Sequence, residues 1–333
     1  MNNKVIEVVN QRKIILGPKD KIKSSSLSKY SWAYTMFKDM QANEWLASGI
    51  DLSKDKLSNL NAGSKTGVDR ALAFLTGLDG YQVDNLAINV VDHITDYTVK
   101  QCIYRQIYEE VNHVDAYDTI ICSYYNDPTA IYLMHENNEI LHKKNEYVLA
   151  QASEMTLEFN VENFICAVVS NIILEGVYFH SGFLLFYVID RMQRELSGAA
   201  EMIQYIQRDE TTHLNLFTNI FHTLKEEFPN AFNAKLYNRL EKLFEGGIKL
   251  ETDWGFHLIE EGVPALSNSN MENYIKSLGN DCLQGMGMAS MYEVKNPYPW
   301  VKEYTALANK NEKNFFENKP NAYSKESLDF DDF

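Results

Sequence analysis

No two of the four cysteines, Cys102, Cys122, Cys166 and Cys282, are spaced as a CxxC pair. That excludes a zinc ribbon or a disulfide framework and points to reduced thiols in a cytosolic protein. Glycine-rich phosphate loops are missing too, both GxGxxG and the GxxxxGK type, so the chain has no nucleotide cradle of these kinds. No section alternates apolar and polar residues as a β-strand would, and no repeat is visible. Basic excess is absent: 31 Lys and Arg against 46 Asp and Glu leave a net charge of −15. This argues against a nucleic-acid binder or a membrane-surface binder, which need basic patches. The start, MNNKVIEVVNQRKIILGPK, lacks the unbroken apolar segment of a signal peptide. Phe164 to Ile189 is long enough to span a bilayer, but Glu175 lies near its middle and His180 follows. A central carboxylate is costly in lipid, so this stretch reads as a helix buried in a soluble core.

What is present suits a large helical protein. The 333 residues are 45% apolar and 23% charged, ordinary for a soluble chain with a substantial core. Residues 1–29 read as irregular. Helical patterns are expected over Trp32–Leu46, Thr66–Ile94, Lys100–Tyr125, Thr129–Leu149, Glu162–Leu196, Gly198–Leu224, Ala231–Glu261 and Met271–Leu283. The reading is one all-α domain over residues 30–317, with a polar, acidic, flexible tail over 318–333.

Two strings organise the chain, Glu110-Val-Asn-His113 and Glu210-Thr-Thr-His213. On a helix this spacing puts carboxylate and imidazole on one face. Glu-x-x-His alone is weak, since eight histidines yield about one such pair by chance. A third, Glu139-Ile-Leu-His142, is surrounded by polar residues and reads as a solvated face. The first two differ in their company. Ile103, Ile107, Tyr117 and Ile121 share the face of Glu110 and His113; Ile203, Ile206, Phe217 and Ile220 share that of Glu210 and His213. A charged group on an apolar face must be paired, neutralised or metal-bound, and no Lys or Arg lies on these stripes.

Glu175 has Ile172, Phe179 and Phe183 on its face, and Asp79 follows Leu72, Leu75 and Leu78. Asp79 by itself reads as a helix-end or turn residue. Taken together the set is four carboxylates and two histidines, whose charge two divalent cations would cancel. Paired Glu-x-x-His helices with a lone carboxylate from each of two more describe a dimetal-carboxylate bundle. Oxygen and imidazole donors without thiolate suit iron or manganese.

These and other stretches resemble the small, radical-generating subunit of class I ribonucleotide reductase, from about Tyr30 to the last residue. The matching stretches include Leu78-Asp79, Glu110-Val-Asn-His113-Val-Asp-Ala-Tyr117, Leu174-Glu175-Gly176-Val177-Tyr178-Phe179 and Arg208-Asp209-Glu210-Thr211-Thr212-His213-Leu214. Ile50-Asp51-Leu52-Ser53, Lys295-Asn296-Pro297-Tyr298-Pro299-Trp300 and Asn314-Phe315-Phe316-Glu317 are also similar. The resemblance implies a ferritin-like helical bundle with additional helices, acting in the cytoplasm as a homodimer. It implies that Asp79, Glu110 and His113 bind one metal and Glu175, Glu210 and His213 the other, with Glu110 and Glu210 bridging. The metals would be two iron ions of a di-iron-oxo centre that activates O2, with dimanganese or a manganese–iron pair as alternatives. Tyr117 would carry the tyrosyl radical inside a pocket of Phe179, Phe183 and Ile206. Trp45 would pass electrons, Asp209 would hydrogen-bond the His113 ring, and Tyr323 would carry the radical into the large (alpha) subunit. Leu328-Asp329-Phe330-Asp331-Asp332-Phe333 would dock on that subunit. The activity implied is that of a ribonucleoside-diphosphate reductase dependent on thioredoxin or glutaredoxin. A dimetal oxidase or hydroxylase with its own substrate, or an iron-storing protein, would not need Tyr117, Trp45 and Tyr323 together.

Overall fold

The computed structural model describes residues 3–304 apart from 19, 145, 148–149 and 151–158. The helices are α1 (Asn3–Asn10), α2 (Ser31–Ala42), α3 (Ala62–Asp84), α4 (Tyr97–Tyr124), the short α5 (Thr129–Tyr132) and α6 (Met134–Asn137), α7 (Val161–Ile173), α8 (His180–Gln193), α9 (Ser197–Glu227), α10 (Ala234–Leu258) and α11 (Asn268–Gly285). No β-strand occurs among the described residues; Ile15 and Ile94 form an isolated bridge. The chain is all-α, as its patterning predicts.

Five helices start behind a side chain that accepts hydrogen bonds from otherwise unpaired backbone N–H groups. The caps are Asn61, Asp96, Asn160, Asn233 and Ser267, on α3, α4, α7, α10 and α11. Helix α9 is capped from a distance. Asp55, in the loop after α2, accepts from the backbone N–H of Gly198 and Ala199, each at 2.8 Å. The same carboxylate accepts from the Tyr124 hydroxyl at 2.6 Å. One loop acid therefore joins the end of α4 to the start of α9, the two helices carrying the Glu-x-x-His strings.

Helix α3 packs along α4, α9 packs on α7 and α8, and α2 lies over α4. Helices α10 and α11 pair with each other and cover α7. Between α7 and α8 the backbone widens into a π-helical segment, Leu174–Tyr178, and a second one, Asn85–Val90, follows α3. The rod Val161–Gln193 is long and apolar enough to cross a membrane, but its apolar stretch is wholly buried and forms the middle of the bundle. Gly176 lets α11 approach the π segment, since a Cβ there would overlap Cys282 Sγ. On the other side, Lys144 is buried in an ion pair with Glu251 of α10. Its Nζ lies 3.5 Å from the centre of the Phe74 ring and donates to the Tyr178 carbonyl at 3.3 Å, bracing the end of that segment.

Three expectations are corrected. Residues 1–29 are not irregular throughout: 3–10 form α1, whose inner face holds Val5, Val8 and Val9, a stripe too short to register against the exposed Ile6. Helix α2 ends at Ala42, not Leu46, because Arg208 takes the Asn43 carbonyl at 2.5 Å in place of a next helical turn. The helix expected over Thr129–Leu149 is broken after Tyr132 and again at Asn138, whose side chain caps Ile140 and Leu141. The four cysteines are free. The tail over 318–333, with Tyr323 and the Leu328–Phe333 segment, lies outside the described residues.

Candidate metal centre

Helices α4 and α9 bring their Glu-x-x-His strings together, while α3 supplies Asp79 and the π segment Glu175. All six side chains are fully buried. Their ligand atoms fall into two groups, Asp79, Glu110, His113 and Glu210, and Glu110, Glu175, Glu210 and His213, within each of which the atoms lie within 4.8 Å of one another. The two glutamates common to both face both ways. Glu110 presents Oε2 to His113 Nδ1 at 3.4 Å and Oε1 to His213 Nδ1 at 3.2 Å. Glu210 presents Oε1 to His113 Nδ1 at 3.1 Å and Oε2 to His213 Nδ1 at 2.8 Å. Asp79 reaches only His113, at 3.6 Å, and Glu175 only His213, at 3.8 Å.

Burial of four carboxylates demands compensation. Both Asp79 oxygens, Glu110 Oε2, Glu175 Oε2, Glu210 Oε1 and His113 Nδ1 are buried without a hydrogen-bond partner. Burial, with the charges of Glu110 and Glu210, pushes Asp79 and Glu175 well above the usual carboxylate range. Burial opposes protonation of His113 and His213, but Glu210 and Glu110 outweigh it and hold both well above the ordinary imidazole value. Glu210 is pulled down by the two histidines against its own burial. Unpartnered hard donors in two overlapping groups fit two divalent cations, which would relieve the repulsion and take up the free lone pairs.

Neighbours hold the donors. Glu175 Oε1 accepts from Gln82 Nε2 at 2.6 Å and Gln106 Nε2 at 2.9 Å, which turns Oε2 inward. Asp209 Oδ2 lies 3.3 Å from His113 Nε2 and accepts from Trp45 Nε1 at 2.7 Å. The half-buried Trp45 stacks over the His113 ring, with centroids 6.2 Å apart. Sequence reasoning missed Gln82, Gln106 and Glu109, the last lying 3.0 Å from His213 Nε2. A signal for Glu109 was present: both strings are preceded by a second acid, Glu109-Glu110 and Asp209-Glu210.

Tyr117, one turn beyond His113, is fully buried, and its hydroxyl reaches no hydrogen-bond partner. The buried Tyr178 hydroxyl is unpartnered as well, so what sets Tyr117 apart is its place one turn beyond His113. Burial, then the charges of Asp79, Glu210 and Glu110, drive its phenol well above 10. Phe179, Phe183 and Ile206 are buried in the same core, the two phenylalanines stacked with centroids 6.0 Å apart. The third string is solvated as expected: Glu139 pairs with Lys143 at 2.6 Å and His142 with Glu146 at 3.2 Å, all four exposed.

A family model for the ribonucleotide reductase small chain matches residues 26–297. The ribonucleoside-diphosphate reductase subunit beta of Treponema pallidum is 32% identical, over 97% of this chain and 94% of its own length. The subunit beta of Halalkalibacterium halodurans is 30% identical, over 90% and 88%. The solved ribonucleotide reductase R2 subunit from Clostridium botulinum superposes with a TM-score of 0.84 at 30% identity, covering 88% of this chain and 94% of that one. The fold is shared with the dimanganese(II)-NrdF of Streptococcus sanguinis, at a TM-score of 0.72 and 20% identity over 86% and 99%. With these relatives along nearly its whole length, and a buried carboxylate–histidine cluster at its centre, the chain belongs to the ribonucleotide reductase small-chain family.

Proposed function

We propose that Asp79, Glu110, His113, Glu175, Glu210 and His213 hold two iron ions, and that Tyr117 is the residue this small subunit keeps as a stable radical. The observation that carries the reading is the set of buried, unpartnered donor atoms one helical turn from a buried tyrosine whose hydroxyl is also unpartnered. When bound, the metal pair supplies one-electron oxidising power drawn from dioxygen. The rest is done by the chain. Glu110 and Glu210 would be shared by both ions, each presenting one oxygen toward either histidine. Because burial and three nearby carboxylates oppose a tyrosinate, Tyr117 gives up electron and proton together. Phe179, Phe183 and Ile206 keep water and reductants from its phenoxyl oxygen. Trp45, bonded to Asp209 and through it to His113, carries electrons between this site and the surface.

As a small subunit, the chain works with a large subunit that binds and reduces the ribonucleotide. Tyr323 passes the radical to that partner, and Leu328 to Phe333 dock on it, an apolar–acidic alternation suited to a groove. A second copy covers the outward stripe Tyr104, Tyr108 and Val111 of α4, each more than two-fifths exposed. The assembly acts in the cytoplasm. The same hard donors also accept manganese, and a dimanganese protein shares the fold; metal analysis of protein from its native source decides between the two.

Electron paramagnetic resonance after adding ferrous iron and oxygen to the metal-free protein tests the reading. The expected result is a tyrosyl signal that Tyr117→Phe abolishes. A fully loaded, oxygen-treated protein without a radical, or a radical that survives Tyr117→Phe, would overturn it.

A further inference from the structure

His113 and His213 can serve a cation only through Nδ1, which in each ring faces the carboxylate cluster. A neutral imidazole that gives one nitrogen to a metal carries its hydrogen on the other, and that N–H needs an acceptor. For His113 the acceptor is Asp209. For His213 it is Glu109 Oε2, at 3.0 Å. The arrangement is crossed: the acid on α9 serves the histidine of α4, and the acid on α4 serves the histidine of α9.

Glu109 is itself held. Its Oε1 accepts from Arg105 Nε at 2.9 Å, one turn back on α4. Arg105 is fixed at its far end, its guanidinium 4.7 Å from the centre of the Tyr108 ring and 3.9 Å from the exposed Glu44 carboxylate. The Tyr108 hydroxyl donates to that same carboxylate at 3.4 Å. A buried carboxylate beside four others would be a liability in a core unless its direction mattered. Here both of its oxygens have one partner each, the guanidinium and the ring.

We propose that Glu109, steadied by Arg105, is the positioning residue for His213 and sets the affinity of the metal position shared by Glu175 and His213. The inference rests on the dimetal reading above. Asp209 plays the same part for the other position. Because each acid reaches across to the opposite helix, a histidine is aligned only when α4 and α9 are packed together.

The test is titration of metal-free protein with cobalt(II) under argon, followed calorimetrically. Wild type takes up two ions. Glu109→Ala weakens one of the two binding steps by about 10–100-fold and leaves the other unchanged. Asp209→Ala weakens the other step, and Glu109→Gln, which keeps a carbonyl acceptor for the ring N–H, restores most of the loss. Arg105→Met weakens the same step as Glu109→Ala, by less. Two unchanged steps in Glu109→Ala, or an equal fall in both, would overturn the proposal, since a packing role alone lowers stability without separating the two sites. Wild type binding fewer than two ions would remove the dimetal reading itself, and this inference with it, before any variant is compared. Should Glu109→Ala lose its helical circular dichroism, Arg105→Met decides by the same criterion.

Discussion

Both supporting acids are held by a guanidinium, Asp209 by Arg208 and Glu109 by Arg105, but Asp209, the one at His113, also takes an indole N–H from Trp45. The two halves start from the same parts, a lone carboxylate and an acid-Glu-x-x-His string, and differ in what surrounds them. The His113 half holds Tyr117 one turn away and Trp45 stacked on its ring. Its lone carboxylate, Asp79, has no hydrogen bond to either oxygen. The His213 half has neither aromatic group, but its lone carboxylate is gripped by Gln82 and Gln106 within a π turn. On the reading proposed above, one half would be furnished for moving electrons and the other for holding a donor still. The difference teaches that near-symmetry in the donor residues does not carry over to the groups that surround them.

The sharpest way to break this comparison is to remove a shared ligand and an unshared one. Glu210→Gln is expected to abolish tight binding of both ions, whereas Asp79→Asn weakens one; metal stoichiometry after desalting measures it, and equal losses would refute the division into halves. A smaller effect separates the lone carboxylates without metal. Above neutral pH, Asp79→Asn should stabilise the metal-free protein by about 1–3 kcal/mol, because it removes a buried charge with no donor. Glu175→Gln should be near neutral, since Glu175 already has two amide donors; urea unfolding in the presence of a chelator compares them. Asp55→Ala should cost about 1–2 kcal/mol of stability through loss of the α9 cap and lower the affinity for both ions, since it loosens α4 against α9. Selective loss at one metal position would contradict that joint role. Trp45→Phe should cost about 1 kcal/mol of stability, for one hydrogen bond. It should slow re-reduction of the Tyr117 radical with metal content intact, while Arg105→Met should not; stopped-flow absorption of the radical gives both rates.

Much of the centre was legible from residues alone because burial and charge conflict there. Glu110, His113, Glu175, Glu210 and His213 sit on helix faces otherwise made of Ile, Phe and Tyr, and such faces are interpretable through their period. Asp79 was readable only in that company. The supporting amides were not legible, because Gln82 and Gln106 are ordinary helix residues until the fold aims them at Glu175. The π turns at 85–90 and 174–178 were hidden for a related reason: one extra residue in a single turn of five or six residues is too short a slip of period to register. Helix α1 and the breaks after Tyr132 and at Asn138 escaped because short stripes carry too few turns to fix a phase.

The sequence by itself determined the helical class, the two strings and the set of four acids and two histidines, since local periodicity decides which side chains share a face. The resemblance implied the shared position of Glu110 and Glu210 and the contact of Asp209 with His113; only the tertiary structure decided that Glu109 serves His213 and that Asp55 ties α4 to α9. These are distances between helices, and no spacing along one chain encodes them until packing closes the bundle.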